Sequence, residues 1–174
     1  MLTVLIPTYK RNNNLTRLID SINNHLKVPH KIIISDNDKD NDISFKQKNI
    51  LYFKQDRNLG PRENIKFTLC KYLEVSKEKS HCILISDDDF FEKDFFLSID
   101  PNVDLYKINC KVKDDNGRYI GKLISRINNF LFGKGYFIDE NRVLTGNILS
   151  YKLVDRYINL TVHKLINDAW YQMQ

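Results

Sequence analysis

The sequence predicts an α/β fold, with a Rossmann-like, mostly parallel central sheet flanked by helices. Three observations predict it. Short apolar runs rich in Ile, Leu and Val recur at 2–6, 31–35, 50–54 and 82–86. Helical patterns separate the first run from the second and the third from the fourth. Polar residues close three of the runs: Thr8, Asp36 and the trio Asp87, Asp88 and Asp89.

Each element follows from local chemistry. LTVLI at 2–6 is a continuous apolar run, as expected of a strand covered on both faces, and Pro7 marks its end. Over 12–26, Leu15, Leu18, Ile19, Ile22 and Leu26 fall at helical spacing, with Asn12 to Asn14 available as caps. KIIIS at 31–35 repeats the buried-strand signature, and ILYFK at 50–54 gives a third strand. In RNLGPREN, Gly60 breaks the chain and Pro61 suits a helix's first position. The helix that follows carries Ile65, Leu69, Tyr72 and Leu73 on one face. CILIS at 82–86 is the fourth strand.

The second half reads differently. VDLYKIN at 103–109 alternates like a strand exposed on one side. Asp115-Asn116-Gly117 predicts a small antiparallel hairpin, with RYIGKLI as the returning strand. Residues 125–140 take no clear assignment. VLTGNILS at 143–150 reads as a strand or turn feeding a helix at 151–158, and KLINDAWYQM reads as helical.

Composition narrows the function classes. With 174 residues, 42% hydrophobic and 28% charged, one globular domain is expected, without repeats or low-complexity linkers. No apolar run approaches the ~20 residues of a bilayer span, and MLTVLIPTYKR lacks the basic start and cleavage site of a signal peptide. The net charge of +5 comes mainly from 19 Lys against 8 Arg, beside 19 Asn and one Ala, a bias that AT-rich codon usage produces. The basic residues are scattered, which argues against nucleic acid and leaves anionic nucleotides or an acidic lipid surface. Cys70, Cys82 and Cys110 are odd in number and have no CxxC spacing, so reduced cysteines are expected. His25, His30, His81 and His163 are isolated and read as structural or solvent-facing.

The aspartate trio carries the strongest chemical signal. Consecutive carboxylates after an apolar strand repel one another, and a divalent cation would remove that cost. Oxygen ligands suit Mg²⁺, Mn²⁺ or Ca²⁺, and strand-end carboxylates of this kind suit a nucleoside diphosphate held through such a metal. The competing reading is a cap cluster ahead of FFEKDFF. No glycine or glutamate follows at the spacing of an EF-hand. Asp36 could equally be a turn residue of the DNDKDND loop, and Thr8, Tyr9 and Arg11 a plain strand-to-helix turn.

Six segments together resemble a family 2 glycosyltransferase of GT-A fold. They are LTVLIPTYKRNNNLTRLIDSI (2–22), KIIISDND (31–38), RNLGPREN (57–64), CILISDDDFFEKDF (82–95), VLTGNILSYKLV (143–154) and INDAWYQ (166–172). The resemblance implies one domain over 1–174, with a nucleotide-sugar half at 1–100 and an incomplete acceptor-side half at 101–174. It implies that Pro7, Thr8, Tyr9 and Arg11 line the nucleotide pocket and that Asp36 accepts a hydrogen bond from the base. Arg57, Gly60, Arg62 and Asn64 would border the nucleotide or its phosphates. Asp87 would face the ribose or the metal, Asp89 would be a metal ligand, and Asp88 could stand in for either. Asp168 would be the general base, although Asn167 departs from the acidic residue often found there. Trp170 and Tyr171 would either stack on a sugar or pack in the core.

The implied activity is a metal-dependent, inverting transfer from a nucleoside-diphosphate sugar, UDP-sugar first, to a hydroxyl of a saccharide or glycolipid. Mn²⁺ or Mg²⁺ is the implied cofactor. The implied setting is surface polysaccharide synthesis, cytoplasmic or peripheral at the inner face of the membrane, with a homodimer left open. A different class of answer is a non-catalytic nucleotide-sugar-binding domain completed by a partner. A sugar nucleotidyltransferase would carry a Gly-rich phosphate loop after the first strand, and PTYKRNNN has no glycine. A receiver-like domain would leave RNLGPREN unexplained.

Overall fold

A computed structural model of the chain describes residues 1–107, 110–113, 118–123 and 147–159. The elements run β1 (Leu2–Thr8), α1 (Asn12–His25), β2 (His30–Asp36), β3 (Ile50–Lys54), α2 (Gly60–Val75), β4 (His81–Leu84), β5 (Leu105–Lys107), β6 (Cys110–Lys113), β7 (Tyr119–Leu123) and β8 (Asn147–Ser150). A helical stretch, α3, covers 151–159. Six strands form one sheet in the order β3-β2-β1-β4-β8-β5. β3, β2, β1 and β4 run parallel, while β8 lies antiparallel to both β4 and β5. β6 and β7 pair antiparallel as a separate ribbon. The expected mostly parallel sheet with a small hairpin is therefore what the chain forms.

Alternation along the central strands builds two cores. Leu2, Val4 and Ile6 of β1, with Ile32, Ile34, Ile83 and Ile85, pack against Leu15, Leu18, Ile19 and Ile22 of α1. Leu5, Ile33, Cys82 and Leu84 face the other way, onto Leu69 and Tyr72 of α2 and Val154 and Ile158 of α3. This is why the strands read as unbroken apolar runs: both faces are covered. Cys82 is buried and Cys70 half-buried, and both are free thiols. Burial pushes the Cys82 thiol above its ordinary range.

Several boundaries differ from expectation for identifiable reasons. β1 continues through Pro7 to Thr8, because pairing with β4 stops at Leu5 while pairing with β2 runs to Thr8↔Asp36. A proline is tolerated where one flank of the strand is unpaired. α1 is not capped by an asparagine side chain. Arg11 holds the cap position without a side-chain bond, and Asn12 instead exchanges two hydrogen bonds with Asn41, at 2.9 and 2.7 Å. In α2, Gly60 opens the helix and Pro61 follows it. Gly60 has φ +78°, a left-handed conformation that explains glycine there. On α2, Ile65 and Leu73 are half-buried, whereas Asn64 and Thr68 are buried with Leu69 and Tyr72. β4 spans 81–84 rather than 82–86, and β5 (105–107) begins two residues later than expected, with 108–109 outside the described residues. The turn at 115–117, the segment 125–140 and the terminal stretch with Asp168, Trp170 and Tyr171 lie outside the described residues.

Among the described residues, no helix is long and apolar enough to cross a membrane.

Leu18 is fully buried where α1 meets the sheet. Leu18→Ala is expected to cost about 2–5 kcal/mol by urea unfolding. Phe96→Ser, at a side chain 73% exposed, is expected to stay within about 0.5 kcal/mol.

Candidate functional site

The parallel strands end together, so the chain segments that leave β1, β2 and β4 meet at one edge of the sheet. That edge is where ligands bind in open α/β sheets. Here it gathers Thr8, Arg11, Asp36, Asp87, Asp88 and Asp89.

Asp87 is the centre of one cluster. It is 4% exposed, and both carboxylate oxygens are engaged. Thr8 Oγ1 donates to Oδ2 at 2.6 Å, and Arg11 Nη1 donates to Oδ1 at 3.0 Å. The same Arg11 nitrogen reaches Asp88 Oδ2 at 3.3 Å. The hydrogen bond to Asp87, more than its Coulombic attraction, pushes the Arg11 pKa further up. Asp88 also accepts from the Ser86 hydroxyl, and its carbonyl accepts from Arg17 Nη2 at 3.0 Å. Arg17 lies over the Phe90 ring, 5.0 Å from its centroid. Asp89 turns back on its own loop, where the Ser86 N–H donates to Oδ2 at 3.3 Å. Burial first, and then the neighbouring Asp88, raise the Asp89 carboxyl above the usual range.

A second cluster surrounds Asp36, which is fully buried. The Asp38 N–H donates to Oδ1 at 2.9 Å, and Asn41 Nδ2 and the Tyr52 hydroxyl both donate to Oδ2, the latter at 2.8 Å. Burial and the bond to Asp36 push the Tyr52 phenol well up. Asp36, expected to accept from a base, thus makes three bonds within the chain. Apolar β2 draws its last residue inside, and the DNDKDND loop folds back to satisfy it.

The α2 residues separate. Asn64 is buried, accepting from the Ser35 hydroxyl at 2.5 Å and donating to the Ser35 and Thr8 carbonyls at 3.1 and 3.4 Å. It ties β1, β2 and α2 together. Asn37 binds Asn58, the Leu59 N–H and the Gly60 carbonyl, which places Gly60 at the same edge. Arg57 lines a different cleft, of about 430 Å³, with Leu59, Glu63, Lys66, Phe67 and Cys70. Arg62 is exposed near the start of α2.

An open cleft of about 490 Å³ lies beside the Asp87 cluster, lined by Lys10, Arg11, Asn12, Asn13, Asn14 and Asp38. Lys10 is held in the left-handed region at φ 57°, and its ammonium sits 5.3 Å from the centroid of the half-exposed Tyr9 ring. The first turn of α1 contains no acidic residue and its N-cap makes no side-chain bond. The cleft thus presents Lys10 and Arg11 beside a helix's positive end, with the Asp38 carboxylate also on its wall and Arg11 already paired to Asp87 and Asp88, so a ligand there meets both signs of charge.

The residues present do not fit the expected divalent metal. Arg11 fills the space between Asp87 and Asp88, the other oxygens of this pair are taken by Thr8 and Ser86, and Asp89 faces its own backbone. Among the described residues, no group of three or more His, Cys, Asp or Glu could hold a metal. This arrangement argues against the metal roles expected of Asp87 and Asp89: repulsion between Asp87 and Asp88 is relieved by an arginine and by hydroxyl donors, while Asp89 still feels its neighbours.

No family model matches the chain, and no curated protein matches it significantly. In fold it is partly similar to TarS from S. aureus. One TarS crystal structure aligns at 18% identity and TM-score 0.40, covering 53% of this chain and 17% of that chain. Residues 1–349 of TarS in complex with UDP align at 18% identity and TM-score 0.40, covering 53% and 29%. The same fragment with UDP-GlcNAc aligns at 18% identity and TM-score 0.38, covering 51% and 27%. The chain thus spans less than a third of each of these structures.

Sequence reasoning did not single out Arg17, Ser35, Asn37, Asn41 and Tyr52. The available signal was the density of Asn and Asp after β2, since a loop that must satisfy a buried carboxylate needs short amide donors.

Because folded Asp89 holds its proton more tightly than an unfolded aspartate, its contribution to stability is present below the ordinary aspartate range and is lost as pH rises through the raised value. Asp89→Asn is expected to raise Tm at pH 7.5, and the gain to vanish as pH falls to about 4. A pH series of thermal melts checks this.

Proposed function

We propose that this chain is the donor-binding part of a GT-A glycosyltransferase that moves a sugar from a UDP-sugar to a hydroxyl of a saccharide or glycolipid. The observation that carries the reading is the link Thr8–Asp87–Arg11. It joins two of the segments that resemble family 2 glycosyltransferases, the PTYKR turn and the SDDD turn, across 79 positions of sequence. The open cleft beside that link, with Lys10, Arg11 and the first turn of α1 on its wall, is the place this reading gives to the nucleoside diphosphate. Synthesis of surface polysaccharide at the inner membrane face is the setting this reading implies.

In this reading Lys10, the first turn of α1 and Arg11 attract the diphosphate and stabilise the charge that develops on it as the glycosidic bond to phosphate breaks. Asp168 takes the proton of the acceptor hydroxyl while that oxygen bonds to the anomeric carbon. One displacement inverts the anomeric centre, so one carboxylate base suffices. Asn64 and Asp36 act from below the cleft, holding the strand ends and the loop after β2 in place.

Thermal shift across UDP-, GDP- and dTDP-sugars tests the donor class, beginning with UDP-GlcNAc, and stabilisation by UDP compounds is expected. Asp168→Asn is expected to abolish transfer while leaving UDP affinity within about twofold. Retained turnover in that variant removes Asp168 from the mechanism. Binding by the wild-type chain with no turnover against any acceptor establishes a binding module instead.

A further inference from the structure

We infer that Arg11 is a built-in counter-cation that keeps divalent metal away from Asp87 and Asp88, so that the site meets its ligand without a metal ion. The inference takes its location from the nucleotide-sugar reading, but its test requires no nucleotide to bind.

The geometry supports it oxygen by oxygen. Arg11 Nη1 sits 3.0 Å from Asp87 Oδ1 and 3.3 Å from Asp88 Oδ2, bridging one of the two carboxylates expected to hold a metal and the neighbour that could stand in for either. Their remaining oxygens accept the Thr8 and Ser86 hydroxyls. A divalent ion entering here would have to displace the guanidinium from both carboxylates and then share two oxygens already held by hydroxyl donors. Magnesium-type ions need near-ideal geometry and usually draw on one or two free carboxylates. A guanidinium, by contrast, stays charged and can donate to carboxylate and phosphate oxygens at once. About half of the Arg11 side chain is exposed and it lines the open cleft, so its remaining N–H groups are accessible to an anion there.

The test is Mn²⁺ titration of the chain alone, read by loss of the free-ion electron paramagnetic resonance signal and by calorimetry. Wild type is expected to show no saturable one-to-one binding below about 1 mM, the range of weak sites. Arg11→Gln, which frees the two carboxylates, is expected to gain a site at least about tenfold tighter. Asp87→Asn added to that variant should remove the gain. Arg11→Lys, which retains a cation, is expected to resemble wild type. Saturable sub-millimolar binding by wild type that Asp87→Asn abolishes overturns the inference, and that arm does not depend on how the arginine variants fold. Absence of any gain in folded Arg11→Gln, or an equal gain in Arg11→Lys, also overturns it. Failure of every nucleotide to bind would count against the proposed function and would leave these outcomes unchanged.

Discussion

Asp87 stands three residues beyond a strand whose every side chain is buried, and it is itself almost wholly excluded from solvent. A carboxylate in such a place is tolerated when it is both paired and hydrogen-bonded. Thr8 and Arg11 supply the two partners from the far end of β1 and the turn beyond it. That requirement fixes much else. The β1–α1 turn must bring Arg11 over the β4 end, with Lys10 in a left-handed conformation on the way. The loop after β4 must then run back along α1, where the Ser21 hydroxyl accepts the Phe91 N–H at 3.0 Å and the His25 carbonyl accepts the Phe95 N–H at 2.8 Å.

The parallel topology makes this meeting compulsory. β2 and β4 flank β1 on either side, and all three run the same way. Their carboxyl ends therefore converge although Asp36 and Asp87 are far apart in sequence. The antiparallel addition of β8 and β5 extends the sheet on the β4 side and carries α3 onto the α2 face. The cleft lies beyond the carboxyl end of β1, lined by the β1–α1 turn, the first turn of α1 and Asp38 of the loop after β2.

The sequence showed the fold wherever burial on both faces left a continuous apolar run, as in LTVLI, KIIIS and CILIS. It showed the site where a polar residue had to follow such a run, which is how Thr8, Asp36 and Asp87 were found. It did not show which polar residues satisfy which. Nothing local indicates that Asn12 pairs with Asn41 instead of capping α1, or that Asn64 reaches Ser35 beneath the cleft. Those bonds exist only once the strands are in register. The same limit explains the aspartate trio. Its repulsion was evident from sequence, but the relieving cation lies 76 residues upstream in Arg11, brought there by the sheet.

The two carboxylate clusters at this edge differ in how they can respond to a ligand. Asp36 is held by Asn41, Tyr52 and a backbone N–H, all at least partly buried, and Asn41 is tied in turn to Asn12. Opening that network would expose buried polar groups without partners, at about 1–3 kcal/mol for each one left unsatisfied. The Asp87 side is held on its outer face by a half-exposed guanidinium that already divides its bonding between two carboxylates. An arriving anion can draw on Arg11 without dismantling the core, because the Thr8 bond still anchors Asp87 from within. The edge therefore has one rigid wall and one that can yield, and the yielding wall is the one that carries the cation.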